Sequence, residues 1–314
     1  MALGFLAVDS SAGIFSFLFG LVHSRPEAEM KKKETCRSMR VARVGRRDFV
    51  FSAVGMFSFF NGPVLLSLSG GSRQEIPQKV QGVRAMTFDV FGTVVDWRTS
   101  IAKEAEIVGR RHRIQADWWS FADDWRGGYG PAMQRVRSGE LGWTKIDDLH
   151  RMILDQLVPQ YGLSVLNDAE LDELNRAWHR LTPWPDTIEG LTRLRKNYVL
   201  ASLSNGNVSL LVNMAKNAGL PWDAVLSAEL AQQYKPDREV YLKAADLLGL
   251  EPEQVMMVAA HKGDLRASAE VGFRTAYVPR PTEYGPDVER DLTPDPDFDL
   301  VATNFNDMAS QLGL

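Results

Sequence analysis

The chain has 314 residues, 45% of them hydrophobic and 24% charged, with a net charge of −4, the composition of a globular protein with room for one large domain or two smaller ones. Residues 1–83 hold eleven Lys/Arg against six Asp/Glu, so the remainder is acidic and lacks the basic stripe that would bind nucleic acid. The single cysteine, Cys36, lies in the N-terminal region, which excludes disulfides, cysteine-based zinc sites and thiol catalysis from the rest of the chain.

The chain opens with an address. Arg40, Arg43, Arg46 and Arg47 precede an uncharged, largely apolar run from Phe49 to Ser72, the layout of an export signal. The Arg46-Arg47 pair followed by Asp48 and Phe49 is similar to a twin-arginine signal. Periplasmic or exported placement is the expectation; an uncleaved membrane anchor and a cytoplasmic protein are the alternatives, and Met30 or Met39 is an alternative start. Residues 1–80 are therefore assigned to an extension with signal and linker, ending in the polar stretch RQEIPQKVQG.

Short apolar runs then alternate with helical patterns. Strands are expected over 84–89, 198–203, 224–228, 255–260 and 275–278, and helices over Ser209–Gly219, Glu239–Leu248 and Leu265–Val271. Gly219 and Gly249 stand where helices commonly end. Between Trp97 and Trp184 the pattern is helical and carries five tryptophans. The expected fold is α/β: a Rossmann-like, doubly wound parallel sheet built from 84–96 and 184–314, with a helical cap over 97–183 inserted after the first strand.

In such a sheet, ligands gather at the carboxyl ends of the strands. There the sequence places Asp89, Gly92 and Thr93, then Ser204 and Asn205, then Lys235, then His261 and Asp264. Taken singly, each has a plainer reading as a helix cap, a turn or a solvated charge. Four successive strand ends carrying such groups make one rim.

Asp89-x-Phe91-Gly92-Thr93, SLSNGN, YKPDREVY and VAAHKGD together resemble the haloacid dehalogenase superfamily and, within it, the L-2-haloacid dehalogenases of type II, over roughly 84–314. The resemblance implies hydrolysis of a carbon–halogen bond in a small 2-haloacid. Asp89 is then the nucleophile that forms an ester, which water cleaves. Lys235 balances its charge, and Thr93 and Ser204 hydrogen-bond the nucleophile or the substrate carboxylate. Asn205 and, from the segment DDWRGGY, Arg126 face the leaving halide; Tyr241 stands near the site; Asp264 holds Lys235 and positions water. His261 departs from the family pattern, as does Ala259, and is expected either to donate a hydrogen bond or to act as general base on the water. The resemblance implies no cofactor and no metal, water as co-substrate, and a homodimer as is common in that family; the Arg46-Arg47 signal implies the twin-arginine machinery as partner.

Phe91 separates this reading from its nearest rival. A phosphatase of the same superfamily needs Mg²⁺ and a second acid two residues after the nucleophile; Phe91 stands there, and Ser268 stands four residues after Asp264 in place of a partner acid. An aromatic at 91 implies a dry pocket. Trp118, Trp119 and Phe121 are read as pocket wall or as cap core. Asp96 is read as a cap to the first helix of the insertion. A non-catalytic exported binding protein with the same fold is the remaining alternative.

Overall fold

The computed structural model describes residues 78–314; the expected export signal, and the linker up to residue 77, lie outside the described residues. Among the described residues, eight strands form: β1 (Ala85–Phe88), β2 (Val95–Asp96), β3 (Thr182–Pro183), β4 (Val199–Ser204), β5 (Ala224–Ser227), β6 (Val255–Ala259), β7 (Arg274–Tyr277) and β8 (Leu300–Val301). Six of them make one sheet in the order β5-β4-β1-β6-β7-β8, with every pairing parallel. β1 and β6 are buried at every residue, as strands covered on both faces must be, so they read as apolar runs without alternation. The chain leaves β1 first towards β4 and β5 and later towards β6, which places a switch point beside β1 and a crevice at its carboxyl end.

Among the described residues, ten α-helices accompany the strands. α1 (Trp97–His112), α2 (Trp118–Gly127), α3 (Tyr129–Arg137), α4 (Ile146–Leu157) and α5 (Asp168–Asn175) form a helical layer between β2 and β3. Those two strands pair antiparallel, Val95 with Pro183 and Asp96 with Thr182, so the chain leaves and re-enters the sheet region at one point. Asp96 does cap α1, its Oδ1 accepting from Thr99 N at 3.0 Å. The remaining helices are α6 (Thr187–Leu194), α7 (Val208–Ala218), α8 (Arg238–Leu248), α9 (Lys262–Glu270) and α10 (Phe305–Gln311). α7 and α8 end at Gly219 and Gly249, both left-handed with φ of 70° and 65°.

Two aromatic clusters lock the layers. Phe88, the last residue of β1, packs on Trp222 at 5.3 Å and edge-on against Phe305 at 5.7 Å. In the helical layer, Trp97, Trp125, Trp178 and Phe121 are fully buried. Phe91 meets this second cluster edge-on, 5.8 Å from Trp178 and 6.3 Å from Tyr129. Each such pair contributes about 0.5–1.5 kcal/mol beyond the area it buries.

Candidate active site

β1 delivers Asp89. Its backbone N–H donates to Val258 O at 3.0 Å, one step past the end of β1, so the carboxylate projects where the sheet stops. The chain then turns tightly: Val94 N donates to Val90 O at 2.9 Å, and Gly92, with φ of 82°, supplies the left-handed step. That turn brings Thr93 back under Asp89, where its hydroxyl donates to Asp89 Oδ2 at 2.8 Å and accepts from Ala260 N at 2.9 Å.

Both carboxylate oxygens of Asp89 face cations. Lys235 Nζ lies 3.1 Å from Oδ1 and 2.6 Å from Asp264 Oδ2; Asp264 Oδ1 in turn accepts from the Tyr241 hydroxyl at 2.6 Å. His261 Nδ1 lies 2.8 Å from Asp89 Oδ2, and its Nε2 lies 3.0 and 3.1 Å from the two oxygens of Glu283. Burial alone would raise the Asp89 pKa; the charge of Lys235 and the bonds from His261 and Thr93 more than reverse this and hold it well below the carboxylate range. Burial would lower Lys235, yet Asp264 and Asp89 keep it above its ordinary value. Asp264 is raised, by burial and by the nearby charge of Asp89.

A cavity of about 290 Å³ opens onto this pair, lined by Asp89, Phe91, Arg126, Tyr129, Asn205 and Lys235, with Pro236, His261, Gly263 and Asp264 completing its rim. Arg126 comes from the last turn of α2, a helix started by Asp117, whose Oδ1 accepts from Trp119 N and Ser120 N. The guanidinium lies 4.1 Å above the Tyr129 ring and 5.7 Å from that of Trp97, and its buried Nε has no hydrogen-bond partner among the described residues. Asn205 Oδ1 accepts the backbone N–H of Lys235 at 2.7 Å, and its amide nitrogen meets Met133 Sδ at 3.4 Å. Among the described residues, no group of three His, Cys, Asp or Glu side chains could hold a metal ion.

The expected site residues divide into three groups. Asp89, Phe91, Arg126, Asn205, Lys235, His261 and Asp264 reach the cavity. Thr93 and Tyr241 stand behind it, holding Asp89 and Asp264. Ser204 is fully buried, and its Oγ accepts from Gly206 N at 3.2 Å in the turn after β4. Burial lowers the His261 imidazole, but bonds and charges from Asp89 and Glu283 raise it to about 10, which favours the donating one of its two expected roles. Trp118, Trp119 and Phe121 do not line the cavity; Phe121 is core, and Trp119 is half exposed beneath Arg98.

Glu283, Tyr129, Trp97 and His150 are not singled out by the sequence pattern. Tyr129 sits three residues after Arg126, a spacing that puts both on one side of the chain and would have flagged it. Glu283 lies in RPTEYGPDVERD, a stretch whose Pro, Gly and charge content gives it the text of a surface loop.

Residues 83–272 match the model of the haloacid dehalogenase-like hydrolases. The chain belongs to that family. Among curated haloacid dehalogenases, the (S)-2-haloacid dehalogenase 4A of Burkholderia cepacia is 30% identical over 218 residues, 65% of this chain and 88% of that one. Dehalogenase 1 of Pseudomonas sp. (strain CBS-3) is 28% identical over 216 residues, 64% of this chain and 88% of the other. The crystal structure of a defluorinating L-2-haloacid dehalogenase superposes with a TM-score of 0.72 at 47% identity, covering 74% of this chain and 96% of that one.

Proposed function

We propose that the protein hydrolyses small 2-haloacids to 2-hydroxy acids and halide through an ester on Asp89. The observation that carries this reading is the state of Asp89. It is an ionised, buried carboxylate, neutralised by Lys235 and His261, on the floor of a small cavity walled by Phe91 and Tyr129. Its kinship with enzymes named as haloacid dehalogenases supports the same chemistry.

In the first step Asp89 Oδ1 attacks the carbon bearing the halogen. Oδ1 has one donor, Lys235, whereas Oδ2 has two, so Oδ1 is the freer nucleophile. Arg126 and the Asn205 amide supply a preorganised cation and donor for the departing halide and the substrate carboxylate. The helical layer acts as a cap that excludes water, with Phe91 joining it to the sheet. In the second step water attacks Cγ of the ester, beside Asp264.

Halide release from chloroacetate, 2-chloropropionate and fluoroacetate tests the proposal. The wild type releases halide with or without chelator and Asp89→Asn does not; equal rates for the two proteins would defeat it. Export by the twin-arginine route is proposed from the sequence alone, and a reporter fusion that loses export on replacing Arg46 and Arg47 by Lys tests it. Homodimerisation is tested by light scattering.

A further inference from the structure

The segment after β7 is fastened to the turn that carries Thr93. Arg280 Nε donates to Thr93 O at 2.9 Å, and its guanidinium makes two bonds to Asp186, at 2.7 and 3.0 Å. Three residues on, the Glu283 side chain is wholly buried. It accepts from Trp97 Nε1 at 3.2 Å and Arg290 Nη1 at 3.0 Å and grips His261 Nε2 with both oxygens. With Nε2 given to Glu283 and Nδ1 to Asp89, each ring nitrogen faces an acceptor, a state only the imidazolium satisfies fully.

We infer that Glu283 is a positioning residue that keeps His261 an imidazolium through both steps, and that His261 and Thr93 together form an oxyanion hole at Asp89 Oδ2 for hydrolysis of the ester. The inference rests on the dehalogenase reading and deepens it. Attack by Oδ1 leaves Oδ2 as the ester carbonyl oxygen, already held by two donors at 2.8 Å each. Water forms a bond to Cγ and passes a proton to Asp264, and the carbonyl electron pair moves onto Oδ2. Collapse restores the C=O bond and breaks Cγ–Oδ1. The alkoxide takes the proton from Asp264 and leaves as the 2-hydroxy acid, and the new Asp89 carboxyl loses its proton to solvent. Esterification removes the Asp89 charge, so Glu283 alone then holds the imidazolium proton. The other charges nearby are Arg290 behind Glu283, Lys235 and Asp264 beyond Asp89, Arg126 across the cavity, and Lys262, paired with Asp291.

The test follows halide release and decay of the Asp89 ester separately, by rapid quench and intact mass, across pH. Ester decay in the wild type falls only at high pH, where the imidazolium is lost. In Glu283→Gln that alkaline limb moves to lower pH, and at pH 8 decay slows by about 10²-fold relative to alkylation, the usual scale for a lost oxyanion donor. Arg290→Gln, at a partly exposed position, moves the limb the other way, because Glu283 then holds the proton harder; it carries the test should Glu283→Gln not fold. Ester decay that rises with pH through the histidine titration marks a general base and overturns the inference, as do limbs that shift together or not at all. Absence of any Asp89 adduct in the wild type overturns the dehalogenase reading and this inference with it.

Discussion

Glu283 occupies the space that a side chain on Gly92 would need: a Cβ built there would overlap the Glu283 carboxylate. Gly92 also has φ of 82°, which an L-residue adopts at a cost of about 1–2 kcal/mol. Gly92→Ala is therefore expected to lose about 2–3 kcal/mol of stability, read by urea denaturation, and to displace Glu283 from His261. Stability within about 0.5 kcal/mol of the wild type would show that the segment carrying Glu283 yields freely.

Lys235 stands between two buried acids, so removing it leaves Asp264 without a cation and Asp89 with His261 alone. Lys235→Met is expected to raise the Asp89 pKa, because burial then acts unopposed on that side. Halide release should drop by at least about 10²-fold and acquire an acid limb that the wild type lacks above pH 4. A flat profile in the variant would place the charge balance elsewhere.

The imidazole of His261 has a folded pKa of about 10, above its ordinary value of 6.5. The folded state thus binds the proton more tightly. The stabilisation is fully present below about pH 6.5 and is lost as pH rises through about 10. The thermal midpoint of the wild type should fall between pH 7 and pH 10 by more than that of His261→Gln, in matched buffers. Parallel curves would mean that the ring is already neutral at pH 7.

His150 is fully buried with neither ring nitrogen hydrogen-bonded among the described residues, stacked 4.2 Å from Trp178 and 5.7 Å from Tyr129. Burial lowers its pKa to about 3, so the ring is neutral. A polar ring used as an aromatic plate is replaceable by an apolar one. His150→Phe is expected to leave stability unchanged or raise it by up to about 2 kcal/mol, because no bond is lost. His150→Ala should cost about 3–5 kcal/mol through the cavity it leaves. Calorimetry on the two variants checks the contrast; a His150→Phe loss comparable to Ala would reveal a polar partner for the ring.

β1 and β6 were legible because they are buried on both faces and so appear as unbroken apolar runs closed by polar residues. The edge strand β8 and the pair β2 and β3 have two residues each and leave no such run. α9 starts at Lys262, three residues before the helix expected at Leu265, since its first turn is polar and holds Asp264. Asp89, Lys235 and Asp264 could be read from their places at strand ends. Ser204 held such a place too, yet its hydroxyl turns towards its own loop, a rotamer choice that no pattern of residue types encodes. Glu283 was illegible for the opposite reason: its loop looks solvated, and only the fold shows that Trp97, His261 and Arg290 converge on it.

The stretch that matches the family ends at residue 272, whereas Arg280, Glu283 and Arg290 all lie beyond it. The nucleophile and its lysine thus lie within the matched segment, while the group proposed to set the protonation of His261 lies after it. Within this architecture the rate of ester breakdown can be retuned by substitutions after β7 that leave carbon–halogen cleavage intact. Laboratory evolution for turnover should therefore sample residues 280–290 before it touches the motifs at the strand ends.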